Sequence, residues 1–423
     1  MGRCRSAPAA GADDPGSRTA LDDPAGGRNH YYTTPTLRAD GSLLTTPGYD
    51  PRSELYLLPG LQLSPIPEHP TEEQARAALA LLADLFAEFS FKDKQLDRSV
   101  ALSGLLTALV RGALPTAPVL LVHADTPGTG KSYLIDLIAT IATGRLCPVI
   151  TASKSAEETE KRIGSVLLSG TPIVSLDNCT HDLGGELLCQ LTERPVVKIR
   201  ILGRSEMPDC ECRTAVYATG NNITFKGDMV RRGLVCNLEA LTERPELREF
   251  QNDALERAAT NRGAYVAAAL TIIRAYLTAG APRVCGSLGS YSAWSTMVRS
   301  PLVWLNEPDP ITSVDSIRQE DPELSNIREF FGLWLAYDLG LDTPYTTSRI
   351  IEVACMASAP NDYNPPALKQ FLLRVAASRG NEGVVSAERL GHWLRKISGR
   401  IVAEHRLISG HERNVAAFQL KKV

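Results

Sequence analysis

Residues 118–140 read PVLLVHADTPGTGKSYLIDLIAT. An apolar run of strand length, residues 118–123, leads into a Gly-rich turn. A helical pattern over residues 132–143 follows. This strand-loop-helix context is what a phosphate-binding loop requires. Gly128 and Gly130 let the backbone curl so that successive amide N–H groups face one anion. The start of the following helix adds its dipole. Pro127, Gly128, Thr129, Gly130, Lys131 and Ser132 are therefore the expected nucleotide residues. Lys131 is expected at the β and γ phosphates and Ser132 at Mg²⁺, so the ligand expected is ATP with Mg²⁺. Asp125 stands where the usual motif opens with glycine. That position matters least, because residues 127–131 form the cradle.

Three further motifs follow in order. Residues 173–178, IVSLDN, begin with an apolar run and end in Asp177, 46 residues after Lys131. A carboxylate at a buried strand's end, level with the loop, can hold Mg²⁺ through its water shell. The next position often carries a second acid that polarises the attacking water. Here it is Asn178, an amide that can orient water but cannot take its proton. Asp182 and Glu186 are the candidate substitutes. Residues 218–222, ATGNN, again end a strand pattern and place Asn221 as the group that senses the γ-phosphate. Alone this is a turn sequence, and its order after the other two motifs gives it meaning. Residues 227–232, GDMVRR, offer Arg231 and Arg232 as arginine fingers, a device worth roughly 10³–10⁵ in rate. Fingers that act on a neighbour require a head-to-tail ring, because that contact is heterologous.

Short apolar strands alternating with helices predict an α/β core with a parallel sheet between helices. Around it the chain divides as follows. Residues 1–45, rich in Gly, Pro, Ala and Asp, read as a disordered leader. Residues 46–94 hold a strand-turn-strand at 54–63 and a helix opened by Thr71, with Gln74 completing a capping box. Residues 95–244 form the core, with helices at 98–112, at 132–143 and after Ser155, which Glu158 would box. Strands are expected at 118–123, 171–176 and 214–218. Residues 245–325 read as a helical connector and 326–423 as a C-terminal domain, ending in a helix at 386–397 and a hairpin at 401–422.

Composition narrows the class. The net charge of −3 excludes an overall polycation, so any nucleic-acid contact must come from local basic surfaces. No apolar run reaches the ~18 residues of a membrane span, and the N-terminus lacks a secretory core. The nine cysteines form no framework, which suits the cytoplasm. Cys210 and Cys212 have no second ligand pair at zinc spacing.

The succession of phosphate loop, LDNCTH, basic segment, ATGNN and DMVRR resembles superfamily 3 helicases, those of papillomaviruses among them. It is more similar still to the phage and plasmid primase-helicases of the poxvirus type and to AAA+ ATPases of prophages. PTAP, DTPGTGKS, KIRILGRSE, ATGNN and SYSAWSTMVRSPLVWL carry the likeness, which spans residues 36–423. The resemblance implies an AAA+ motor, an ATPase and DNA helicase working as a homo-oligomeric ring, a hexamer, on single-stranded or forked DNA. It makes Lys131 and Ser132 the nucleotide residues, Asp177 the metal acid, Asn221 the sensor and Arg232 the finger. It also places a DNA-touching hairpin before the sensor strand, matching residues 196–207 with Lys198, Arg200 and Arg204. No zinc ribbon or acidic primase core is present, so any priming belongs to a separate primase.

From Ser386 onward there are eight Lys/Arg against three Glu. The 386–397 pattern buries Leu390, Trp393, Leu394 and Ile397 and exposes Arg389, Arg395 and Lys396. A basic helix before a basic hairpin suggests a winged helix on DNA, held mainly through phosphates. Two other readings stay open. One is an AAA+ protein remodeller or defence switch without unwinding, which the missing second acid favours. The other is a DNA-binding module with a decayed ATPase.

Overall fold

The computed structural model describes residues 30–153, 156–201, 203–248, 251–315, 322–337, 339–356, 366–378, 380–412 and 415–423. Within the stretch expected to be a leader, the described residues from His30 onward are folded. Strand β1 (His30–Tyr32) pairs in parallel with β5 (Leu55–Leu57), which pairs antiparallel with β4 (Gly48–Asp50). Strands β2 (Thr36–Leu37) and β3 (Leu43–Leu44) form a small hairpin between them. The leader expectation therefore fails from His30 to residue 45, and the expected strand-turn-strand at 54–63 reduces to β5.

Helix ends hold this polar stretch in place. The last carbonyls of a helix have no partner within it. Helices α1 (Glu72–Leu85), α2 (Leu96–Val110) and α3 (Lys131–Thr143) follow the N-terminal strands. The Thr33 hydroxyl donates to the Thr143 carbonyl (2.8 Å) and that of Thr34 to Ala142 (2.5 Å), both at the end of α3. Thr36 does the same for Leu109 near the end of α2 (2.6 Å). The capping box at Thr71 and Gln74 forms as expected.

The core sheet takes its strands in turn along the chain. They are β6 (Val119–Ala124), β7 (Val149–Thr151), β8 (Ile173–Cys179), β11 (Ala215–Asn221) and β12 (Gly233–Leu238). Between them run α3, α4 (Ala156–Leu168), α5 (Glu186–Glu193) and a hairpin, β9 (Val196–Lys198) with β10 (Asp209–Glu211). All five core strands are parallel, in the order β12-β6-β11-β8-β7. This is the mixed α/β core with a helix-flanked parallel sheet that the alternation predicted. The proposed cap at Ser155 lies outside the described residues. Strands β7 and β12 were not anticipated.

Residues after the sheet join the same core rather than forming a connector. Helices α6 (Ala254–Thr260) and α7 (Arg262–Thr278) pack on α3 and α1, and Leu270, Ile272 and Trp294 are fully buried. The Trp294 indole donates to Thr107 in α2 (2.9 Å). A π-helical turn at Ser295–Arg299 follows, with Arg299 clamped two-pronged on Asp309 (2.8 and 2.6 Å). This first compact unit ends at Val314, and the second begins at Asp315.

The second unit holds helices Pro322–Ala336, Thr347–Met356, Ala367–Ala376 and Ala387–Ile397. Its antiparallel sheet runs in the order Tyr345–Thr346, Val415–Lys422, His405–Glu412, Ile401–Val402. Its own core includes Phe330, Trp334, Phe371, Leu390, Leu394 and Phe418. Among the described residues, no helix is long and apolar enough to cross a membrane.

Candidate nucleotide site

In an open parallel sheet, ligands bind beyond the carboxyl ends of the strands, near the place where the strand order reverses. Here the first strand, β6, lies between β12 and β11. The phosphate loop follows its C-terminal end, and Asp177 and Asn221 stand at the C-terminal ends of β8 and β11. The arginine motif instead runs into the N-terminal end of β12, where the Arg232 carbonyl accepts the Val119 N–H at the start of β6 (3.1 Å). The loop after β6 curls as its composition demands. Gly128 and Gly130 sit at φ 79° and 92°, in the left-handed region that glycine takes without cost. Asp125 is not among the left-handed residues, which explains why glycine is dispensable there. A Cβ on Gly130 would meet nothing within 4 Å, so the cradle is open at that point. Helix α3 begins directly at Lys131 and turns its first unpaired N–H groups to the same side.

The Lys131 ammonium lies across the loop, on the Thr126 carbonyl (3.1 Å) and the Thr129 hydroxyl (3.2 Å). Burial lowers its pKa from the ordinary value, and the nearby Asp177 partly offsets that. One residue on, the Ser132 hydroxyl donates to Asp177 Oδ1 at 3.0 Å. Groups 45 residues apart in the chain thus meet at the end of the sheet. One hydroxyl and one carboxylate beside a lysine are groups that could hold Mg²⁺ with a triphosphate.

Asn221 ends β11 directly opposite Ala124, the last residue of β6. Its Oδ1 is buried, without a hydrogen-bond partner among the described residues. Such an atom costs about 1–3 kcal/mol unless something bonds it, so it fits a polar ligand at this position. Its neighbour Asn222 has φ 51° and donates to the Asp125 carbonyl (3.3 Å), tying β11 to the start of the loop. Asn178 is exposed, at φ 51°, and its N–H donates to the Thr219 hydroxyl. The two substitute acids are engaged elsewhere. Asp182 accepts the Thr224 N–H (3.1 Å), and Glu186 accepts from the Gln190 amide (3.1 Å).

The arginine pair divides. Arg232 is 5% exposed and bonds Glu193 (2.8 Å), Asp228 and the Cys189 carbonyl (2.6 Å). It is enclosed by groups of its own chain, contrary to the expectation that it is the projecting finger. Arg231 has a half-exposed side chain and is held by Asp228, with Glu193 at 3.5 Å. The same two acids therefore serve both arginines, and the four charges sum to zero.

The expected hairpin is present. Beyond β9 and β10 it continues through Ile199–Pro208 and Ile201–Glu206 backbone bonds (3.2 and 3.1 Å). Arg200 and Arg204 are exposed on it, Lys198 pairs with Asp209 on the surface, and Met207 is 56% exposed. In the second unit Arg389, Arg395 and Lys396 are exposed on Ala387–Ile397, and Arg389 donates to the Ala377 carbonyl.

Sequence reasoning missed two groups. Thr219, within ATGNN, bonds Asp177 directly (2.6 Å), and its spacing from the asparagine gave no clue to that. Tyr133, next to Ser132, donates to Asp253 at the start of α6 (3.0 Å), and its ring lies 5.7 Å from that of Phe89. It joins the first turn of α3 to two segments distant in sequence. Cys212 is buried, with its thiol pKa pushed up to about 12. Among the described residues, no group of three or more His, Cys, Asp or Glu is placed to hold a metal ion.

No family profile and no curated protein matches this chain. Among solved structures, the NrS-1 C terminal region aligns over 87% of this chain and 80% of its own length, at 10% identity and TM-score 0.38. A second structure of that region, residues 305–718, aligns over 50% and 48%, at 15% identity and TM-score 0.30. JCV helicase aligns over 56% and 67%, at 11% identity and TM-score 0.25. At these scores the functional reading rests on the site itself.

Proposed function

We propose that this protein binds ATP with Mg²⁺ at the carboxyl edge of its parallel sheet and hydrolyses it to drive a DNA-handling machine. The observation that carries this is the meeting of Ser132 and Asp177 beside the open loop, with the orphaned Asn221 oxygen across the same edge. Amides of residues 128–132 and the Lys131 ammonium would hold the phosphates. Ser132 and Asp177 would hold Mg²⁺, which when bound neutralises charge on the β and γ oxygens. The Ser132 proton already points at Asp177, which leaves its lone pairs for the metal. Asn221 would orient the water or the terminal phosphoryl group. Asn178 cannot accept the water's proton, so slow intrinsic turnover is expected.

A superfamily 3-like ring, with DNA drawn through its centre by the 196–207 hairpin, is the reading we adopt. In it Arg231, the more exposed of the pair, is the better finger. The second unit would act as a winged helix on duplex phosphates through Arg389, Arg395 and Lys396. The test is ATP turnover with and without single-stranded DNA. Stimulation supports a DNA motor. Unstimulated turnover favours a protein remodeller or defence switch, which the amide at 178 also suits. No turnover at all leaves only a DNA-binding module.

A further inference from the structure

A threonine in a buried strand must find partners for its hydroxyl. Thr219 is 2% exposed, near the end of β11. The ladder beside it is irregular. Ala218 pairs with Leu176, but Gly220 pairs with Cys179, so Asp177 and Asn178 together oppose Thr219. Two residues facing one is a β-bulge, a device that re-aims a side chain. Asn178 takes the left-handed conformation there, and its N–H donates to Thr219 Oγ1 at 2.9 Å. An N–H can only donate, so the hydroxyl accepts from it. A carboxylate can only accept, so the hydroxyl proton goes to Asp177 Oδ1, 2.6 Å away. Ser132 donates to that same oxygen. Oδ1 is thus fixed by two protein hydroxyls.

We infer that Thr219 is the positioning residue of the metal site: its hydroxyl sets the Asp177 carboxylate and locks the bulge that carries it. This rests on the Mg²⁺–nucleotide reading above. It also gives a physical link along one strand, because Asn221 lies two residues further on. A shift of β11 at Asn221 displaces the group that holds the metal acid.

The experiment compares Thr219→Val, which keeps the shape and loses the hydroxyl, with Thr219→Ser, which keeps the hydroxyl. Mn²⁺ binding to the ATP-loaded protein is read from the electron-spin-resonance signal of free Mn²⁺. ATP binding in EDTA is measured alongside. Partners of ligating groups typically contribute about 10–100-fold in metal affinity. Thr219→Val should weaken Mn²⁺ binding by about 10-fold or more, Thr219→Ser by less than about 3-fold, and neither should change ATP binding in EDTA by more than about 2-fold. Mn²⁺ binding within about 2-fold of wild type in Thr219→Val overturns the inference. If circular dichroism shows that Thr219→Val is unfolded, Thr219→Ala is measured in its place against the same limits. Wild-type protein that binds ATP no better with Mn²⁺ than in EDTA would overturn the site reading itself, and the role of Thr219 with it.

Discussion

Lys131 bonds only its own loop, and its ammonium reaches no core group in the described hydrogen bonds. Lys131→Ala should therefore leave the fold intact while removing a charge-assisted contact to phosphate. That contact is worth about 1.5–3 kcal/mol, so ATP affinity should fall by about 10–100-fold. Unchanged affinity by titration calorimetry would refute the assignment. Burial also lowers this lysine's pKa, so it gives up its proton sooner than an exposed lysine as pH rises. ATP affinity should accordingly weaken on the alkaline side, below the ordinary 10.5. The two arginines should part in the opposite sense. Arg232→Ala removes the buried cation that Glu193, Asp228 and the Cys189 carbonyl share. Breaking a buried pair costs about 3–5 kcal/mol, and the half-exposed Asp228 brings this to about 2. Arg231→Ala should leave Tm within about 1 °C, since exposed pairs contribute little, yet stop turnover if it is the finger. Equal thermal losses in the two variants would sink this division.

At the level of elements, the first turn of α7 lies against an irregular segment. A Cβ on Gly263 would come 2.0 Å from the Gln62 backbone carbonyl. Backbone cannot swing aside as a flexible side chain would, so Gly263→Ala should destabilise by about 3 kcal/mol or more. A calorimetric Tm unchanged within about 1 °C would contradict this. The N-terminal strands have a different signature. Arg38 clamps Asp50 (2.9 and 3.0 Å) and holds its carboxyl down from 3.8 to about 2. A depressed carboxyl stabilises the folded state above its unfolded pKa, and the contribution is lost as pH falls through the folded value. Wild type should therefore exceed Asp50→Asn in Tm at pH 5, and the gap should close between about pH 4 and 2. These elements also show where sequence was readable. The β6 run, the loop and α3 announce themselves because strand, turn and helix chemistry agree over 25 residues, Val119–Thr143. Strand β7 has three residues, too few for a periodic signal, and β12 was hidden behind the arginine motif. Residues 30–45 looked unfolded because their buried apolar side chains, Tyr32, Leu37 and Leu44, follow no helix or strand period, and threonine hydroxyls on distant helix ends supply further anchors that no local pattern shows. The site residues were legible wherever a motif fixes chemistry to a strand end. The enclosure of Arg232 and the role of Thr219 were not, since both depend on partners about 40 residues away.

For the whole molecule, charge is informative only when taken region by region. The chain carries −3 overall, yet residues 386–423 hold eight cations against three Glu, and the 196–207 hairpin exposes Arg200 and Arg204. The two basic surfaces belong to different compact units and lie on different elements, a hairpin leading to β11 and a helix before an antiparallel sheet. If both meet DNA, they must do so for different ends. The hairpin feeds into β11, the strand that carries Thr219 and Asn221, so a load on it would reach the proposed nucleotide site. The C-terminal helix leads instead into the antiparallel sheet of the second unit, and its proposed part is to add phosphate contacts. Each phosphate contact to duplex DNA contributes about 0.9 to the slope of log affinity on log salt. Removing Arg395 and Lys396 together should therefore flatten that slope by about 2, without touching the turnover that DNA stimulates at saturation. Removing Arg200 and Arg204 should do the reverse, abolishing stimulation while duplex affinity and its salt slope stay nearly unchanged. Were the hairpin variant stimulated like wild type, or the helix variant unstimulated at saturating DNA, the assignment of coupling to the first unit and of grip to the second would have to be exchanged or abandoned.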